Sequence, residues 1–417
     1  MIRRSELSSL LFLSFFLIFI RILPINVETQ PVLSLFVAAI LIAGFSKKSD
    51  LLKKDVLFVF FLALILIVYT CLQIFFNSDY QAIVELFKYL IGPVIFFSIR
   101  SNRYSISFSV LKKVIIALSV IAAVSLLLPG LYSAFFKLFI PRFAENMGSD
   151  VRGIVVLTPE PSYFAVFQII LLITIEKALS QFDNGEKVLY SKRQLLYLKY
   201  IIIFISVLTK SALVILYIII FILPDFKKIN LKKLLLGLLV VIPILSLIIY
   251  FFFSENRLFD VISLVYKLVH EGDFDWTYFL FNQESSGGTR IILNFLAISS
   301  LFINPLGSGL GSFSKMINLY GDHYNMDLSK HEVLGSDALG KLYPQTYFAN
   351  LCNDIGVFAL ILFPVIWVNN AKDSSNFVLK RNLCLFLMIL FQSQITSPAF
   401  WYLIAISKIK VNEKIIK

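Results

Sequence analysis

An all-α, polytopic integral membrane protein with about twelve transmembrane helices and one large external loop is the fold class that this sequence predicts. Three observations carry it. Hydrophobic residues fill 58% of the 417 positions, with 42 Phe among them, and the mean hydropathy of +0.84 leaves no room for a water-covered globule. Apolar runs near the roughly 20 residues that a spanning helix requires recur along the chain. Lys and Arg crowd into short segments between those runs, whereas one long stretch, 254–346, is acidic on balance. The whole chain, 1–417, therefore reads as a single membrane domain, with 254–346 as a loop within it.

The apolar runs set the order of elements. The first, 10–23, follows Arg3 and Arg4 as a signal peptide would, but no small-residue cleavage site comes after it, so it reads as a retained span. Further spans are expected at 31–45, 56–76, 83–99, 114–131, 163–175, 195–208, 211–223, 234–253, 347–368, 383–391 and 399–406. The stretch from Tyr200 to Leu223 would pass for one span. Basic clusters flank it on both sides, however (Lys187, Lys192, Arg193 and Lys199 before, Lys227, Lys228, Lys232 and Lys233 after), and one crossing cannot leave both in the cytoplasm. Two short helices meeting near Thr209-Lys210-Ser211 restore parity and put both termini inside.

Within the long loop, Leu258, Val261, Ile262, Val265, Leu268 and Val269 recur at helical spacing, the pattern of an amphipathic helix lying on a membrane surface. The apolar run 291–303 is short for a span and reads as a buried or re-entrant helix. The net charge of +12 is a topology signal rather than a polyanion-binding surface, because its cations sit in the short loops; no nucleic-acid partner is expected. The three cysteines, Cys71, Cys352 and Cys384, all lie in apolar runs, which argues against a disulfide framework or a thiolate metal site.

Four polar sites stand out. Arg152 precedes Thr158-Pro159-Glu160-Pro161-Ser162-Tyr163, where two prolines fix the backbone on either side of an acid. The same residues suit a plain helix start, with Glu160 at the positive end of the dipole. Lys210-Ser211 sets a cation near membrane depth, where charges face a partner or a wet cavity unless they snorkel to the interface. Ser286-Gly287-Gly288-Thr289-Arg290 is followed, after an apolar helix, by Asn304-Pro305-Leu306-Gly307-Ser308-Gly309-Leu310-Gly311. The glycines there either expose amides to an anion or merely end the helix. Finally, Asp322-His323 and Lys330-His331-Glu332 offer a general base or solvated loop histidines; their spacing fits no zinc signature, so neither metal nor cofactor is expected.

Taken in order, these pieces resemble the bacterial O-antigen polymerase and ligase superfamily. The resemblance runs from Arg152 and Glu160-Pro161-Ser162, through Thr209-Lys210-Ser211, Arg290 and the Asn304–Gly311 run, to Tyr347-Phe348-Ala349-Asn350-Leu351 and Asp354-Ile355-Gly356. Ligases of the superfamily carry a His-Asn pair where this chain has Gln345-Thr346, which favours polymerase. The resemblance implies an enzyme of the bacterial inner membrane that joins undecaprenyl-diphosphate-linked oligosaccharide repeat units into O-antigen or a related polysaccharide on the periplasmic face, with a chain-length regulator as a further partner. It implies catalytic roles for Arg152, Glu160 and Arg290, and substrate contacts for Lys210, Ser211, Gly307, Gly309, Gly311, His323, His331 and Tyr347. Arginine suits a departing diphosphate because its planar fork grips phosphate oxygens. Glu160 would either deprotonate the acceptor or orient Arg152. A ligase acting on lipid A core and a non-enzymatic flippase of lipid-linked sugars are the alternatives.

Overall fold

The computed structural model describes residues 4–22, 29–45, 54–101, 105–140, 153–186, 190–222, 285–330, 343–368, 375–391 and 394–412. These residues are mostly helical. In chain order the helices are α1 (Arg4–Ser14), α2 (Val32–Phe45), α3 (Lys54–Asn77), α4 (Gln81–Ser101), α5 (Phe108–Leu127), α6 (Pro129–Phe136) and α7 (Phe164–Asp183). They continue with α8 (Lys192–Leu208), α9 (Ala212–Ile222), α10 (Ser285–Ile303), α11 (Phe313–His323), α12 (Tyr347–Ile355), α13 (Leu362–Val368), α14 (Ser375–Leu390) and α15 (Pro398–Ala405). Among the described residues, five segments are long and apolar enough to cross a membrane: Val56–Asn77, Gln81–Arg100, Phe108–Leu127, Pro161–Asp183 and Tyr347–Ile366. The span expected at 234–253 and the surface helix expected at 258–269 lie outside the described residues.

Helix α7 is the axis of the bundle. Every residue from Phe164 to Gln181 is buried, polar ones included, whereas α3, α4 and α5 turn large apolar side chains such as Phe60, Phe87 and Val120 outward. A helix that is covered all round belongs to the interior of a bundle. Exposed apolar faces on its neighbours suit a hydrocarbon surround.

Five expected spans take a different form. The run 114–131 is broken at Leu128, between α5 and α6, and the run 383–391 begins earlier, at Ser375. The run 10–23 is helical only to Ser14, because the next amides bond to carbonyls three residues back (Phe15 to Phe12 at 3.3 Å, Phe16 to Leu13 at 3.1 Å), which tightens the chain into turns. The run 163–175 continues to Asp183. The run 347–368 is interrupted after Ile355, where Gly356 takes a φ of 59°; a shorter 3-10 stretch, Gly356–Ile361, then leads into α13. The run 291–303 forms the larger part of α10, which packs on α11 and α12.

The chain divides at Lys210 into two short helices, as expected. Helix α8 starts at a capping box, in which Ser191 Oγ accepts from the Gln194 amide at 3.2 Å and Gln194 Oε1 accepts from the Ser191 amide at 3.0 Å. It ends at Thr209, and Lys210 turns the chain with a φ of 50°. Helix α9 runs back antiparallel, so that Lys199 Nζ donates to the Phe221 carbonyl at 2.7 Å. The same ammonium meets Glu176 of α7 at 2.6 Å, and Lys380 of α14 meets that carboxylate at 3.0 Å. One buried acid thus ties α7, α8, α9 and α14 together.

The two ends of α7 gather different parts of the chain. Near its C-terminal end, strand β1 (Ser105–Ser107) pairs in parallel with strand β2 (Lys410–Asn412), a small departure from an all-helical chain. Gln181 Oε1 accepts from the Val411 amide at 3.0 Å, and Tyr190 donates to the Val411 carbonyl at 3.2 Å. Near its N-terminal end lie Leu157, whose amide donates to Tyr132 Oη at 3.0 Å, and Tyr163, whose hydroxyl accepts from Gln394 at 3.2 Å.

The loop after α10 docks on α12 through paired glycines. Gly307 and Gly356 face each other so closely that a Cβ on Gly356 would come 2.0 Å from the Pro305 carbonyl oxygen, and one on Gly307 would come 2.5 Å from that of Asp354. The Val357 amide donates to the Pro305 carbonyl at 2.8 Å. Gly356→Ala should therefore lower stability by at least about 2 kcal/mol, combining a positive φ with a backbone clash. Gly44→Ala in α2, where nothing lies within 4 Å of the added carbon, should leave stability unchanged or raised. Thermal unfolding of the detergent-purified variants checks both.

Candidate functional site

Residues 158–163 enter α7 along a path set by their own polar groups. Glu160 is extended (φ −141°, ψ 155°), and Pro161 opens a 3-10 turn, Pro161–Tyr163, whose first position suits its fixed φ. Thr158 Oγ1 donates to the Glu160 carbonyl at 2.9 Å. Upstream, Leu157 holds a φ of 54°, steadied by its bond to Tyr132, whose hydroxyl burial pushes up to about 12. That group stays neutral at any working pH and serves as a fixed acceptor.

Arg290 reaches this turn from the second turn of α10. Its Nη2 lies 3.5 Å from Glu160 Oε2 and 3.5 Å from Ser162 Oγ, and Ser162 Oγ lies 3.5 Å from the same Glu160 oxygen. The Arg290 and Glu160 side chains are 24% and 28% exposed. These are long contacts at an open site, so the pair stabilises the fold by no more than about 1 kcal/mol. Among the described residues, every polar contact of Arg290 runs through Nη2, which leaves the Nη1 and Nε donors for an incoming group.

Asn294, one turn further along α10, sets the helix in place. Buried in the bundle, it donates to the Leu390 carbonyl of α14 at 2.9 Å and accepts from the Gln345 amide at 2.8 Å. The next residue, Thr346, caps α12 by accepting from the Ala349 amide at 3.1 Å.

Lys210 and Ser211 stand at the tip of the α8–α9 hairpin, both partly exposed. The tip lies against Gly153, where a Cβ would sit 2.3 Å from the Thr209 carbonyl, and the Ile154 amide donates to the Leu208 carbonyl at 3.1 Å. The hairpin tip is thus held beside the segment that leads to Glu160. Arg152 and His331 lie outside the described residues.

Other expected contacts are used differently. Gly307, Gly309 and Gly311 do adopt positive φ (81°, 95° and 71°), yet the amides of this run already have acceptors within the protein. Ser308 donates to the Asn353 carbonyl at 2.8 Å, Gly309 to the Asp354 carbonyl at 3.0 Å, Leu310 to Gln73 Oε1 at 2.7 Å and Gly311 to Asp354 Oδ2 at 3.1 Å. The run is an internal joint, and its amides are spent before any anion arrives. Tyr347 is a core residue rather than a ligand contact: it is 1% exposed, stacks on Phe400 and donates its hydroxyl to the Tyr89 carbonyl at 3.2 Å. His323 ends α11 exposed, edge-on to Tyr324.

Asn294, Gln394 and the hydroxyl of Ser162 are site-forming groups that the sequence motifs do not single out. Asn294 had a usable signal, an amide inside an otherwise apolar helix. Gln394 had none, since its role depends on where α15 begins. No protein-family model, curated protein or solved structure matches this chain.

Asn294→Leu should preserve the packing of α10 while stranding the Gln345 amide and the Leu390 carbonyl. A cost of about 1–3 kcal/mol is expected, read as a lower melting temperature together with faster hydrogen exchange at the Gln345 amide.

Proposed function

We propose that this chain is a membrane glycosyltransferase that polymerises undecaprenyl-diphosphate-linked oligosaccharide repeat units on the periplasmic face of the bacterial inner membrane. The observation that carries this reading is the meeting of Arg290 with Glu160 and Ser162, from segments 130 positions apart, at a partly open mouth of an apolar bundle. A hydrated ligand at that mouth would find one cation with unspent donors and one carboxylate beside it. In the proposed step, an acceptor sugar hydroxyl attacks the anomeric carbon of the donor. The bond from that carbon to the diphosphate oxygen breaks, and the acceptor proton passes to Glu160. Arg290 takes up the charge of the departing diphosphate, with Arg152 and Lys210 as further cations.

The finer topology belongs to the same proposal: about twelve crossings, both termini cytoplasmic and 254–346 outside. Its support is the sorting of contacts along α7. Residues 105–107, Gln181, Tyr190 and 407–412, all beside basic clusters, meet at one end. The Glu160 turn, Arg290 and Gln394 meet at the other. Reporter fusions after Asn282 and Asp337 should therefore report an external location, and fusions after Lys54, Lys228 and the C-terminus a cytoplasmic one. A cytoplasmic signal at Asp337 defeats the proposal.

Deleting the gene should leave single repeat units on the lipid A core. Undecorated core with stored polymer would point instead to a ligase, and undecorated core without polymer to a flippase. Lysine supplies a point charge without the guanidinium fork, so Arg290→Lys and Arg152→Lys should each abolish long chains at normal protein abundance, a loss of about 10²–10³ in rate. Wild-type chain length in both variants would overturn the diphosphate assignment.

A further inference from the structure

A second polar cluster lies beside the segment that Asn294 anchors, and the proposed chemistry has not used it. Near the start of α4, Glu85 Oε1 accepts from Lys88 Nζ at 2.6 Å. Glu85 is only 9% exposed, and its side chain lies over Gly311, where a Cβ would meet it at 2.8 Å. Among the described residues its second carboxylate oxygen has no hydrogen-bond donor. Lys88 in turn sits 5.8 Å from the centre of the Tyr343 ring, which remains 37% exposed. Burial, with Glu85 close by, raises the Tyr343 hydroxyl above the ordinary phenol range, so it is a neutral donor. Two residues along the chain, the Gln345 amide is bonded to Asn294, one helical turn from Arg290.

Ionisable side chains within an apolar span are costly and mark ligand paths when they keep an open side. This pair has such a side. Its two charges cancel, which disfavours an anion and suits a neutral ligand. An open aromatic ring, a carboxylate oxygen without a donor and an ammonium together match the apolar faces and the hydroxyl groups of a pyranose. Resting on the proposed glycosyl transfer, we infer that Glu85, Lys88 and Tyr343 form a subsite for a neutral sugar of the oligosaccharide, separate from the diphosphate-binding role of Arg290.

The probe is the free repeat-unit oligosaccharide, released by mild acid from the polysaccharide of the strain that carries this chain, so that no diphosphate is present. Binding is measured by thermophoresis on full-length protein in lipid nanodiscs. Tyr343→Ala and Glu85→Gln should each weaken binding by about tenfold or more, the cost of a lost contact to a charged or stacked group. Tyr343→Phe should retain most of it, because the ring stays. Arg290→Lys should bind the probe as the wild type does. Unchanged binding in Tyr343→Ala, a loss seen only in Arg290→Lys, or no binding by the wild type overturns the subsite. Tyr343 is exposed, so its variants fold even if Glu85→Gln does not. Weakened binding in Tyr343→Ala, with Arg290→Lys and Arg152→Lys both still making full-length polymer, would leave the subsite standing and remove the diphosphate assignment.

Discussion

The joint between residues 305–311 and α12 is the interaction on which the rest of this half of the bundle depends. Backbone polar groups in an apolar bundle cost several kcal/mol each when unsatisfied, and a non-helical run of this length presents many. Here they are met almost one for one: Ser308 and Gly309 by carbonyls of Asn353 and Asp354, Leu310 by Gln73 and Gly311 by the Asp354 carboxylate. Asp354 is satisfied in turn by Tyr89 at 2.7 Å and Asn353 at 2.7 Å. Gly307 and Gly356 are there because backbone meets backbone, and Gly309 and Gly311 because the Gln73 and Glu85 side chains lie against them, all at positive φ and with no room for a Cβ. Through Gln73 and Tyr89 the joint also reaches α3 and α4.

The candidate site inherits its geometry from that joint. Arg290 rides on α10, α10 packs on α12, and Asn294 fastens α10 to the start of α12 and the end of α14. The turn carrying Glu160 is held from the other side by Tyr132, Gln394 and the α8–α9 hairpin. Each partner of the central pair thus sits on its own rigid support, and the pair contributes little to the fold.

Two carboxylate clusters on one helix axis show the contrast in magnitude. Glu176 and its two lysines are buried, with contacts of 2.6 and 3.0 Å; removing one partner from such a group costs about 3–5 kcal/mol, because a buried charge is left behind. Glu160 and Arg290 are about a quarter exposed and 3.5 Å apart, and an exposed pair of that kind contributes at most about 1 kcal/mol. The first cluster fixes four helices. The second leaves its groups available to a charged ligand.

Composition and charge placement by themselves determined the helical membrane class, most helix positions and the division at Lys210, because hydropathy and the sidedness of basic loops act on segments independently of their neighbours. The bracketing prolines also singled out Glu160, whereas Arg290 was marked by the resemblance, as a cation heading a helix. Only the tertiary structure decided that these two meet, that the Gly307–Gly311 amides are consumed internally and that Tyr347 belongs to the core. The reason is the same in each case. A glycine run, a tyrosine or an asparagine has several chemically equivalent uses, and the choice is made by which donor or acceptor the packed neighbour offers.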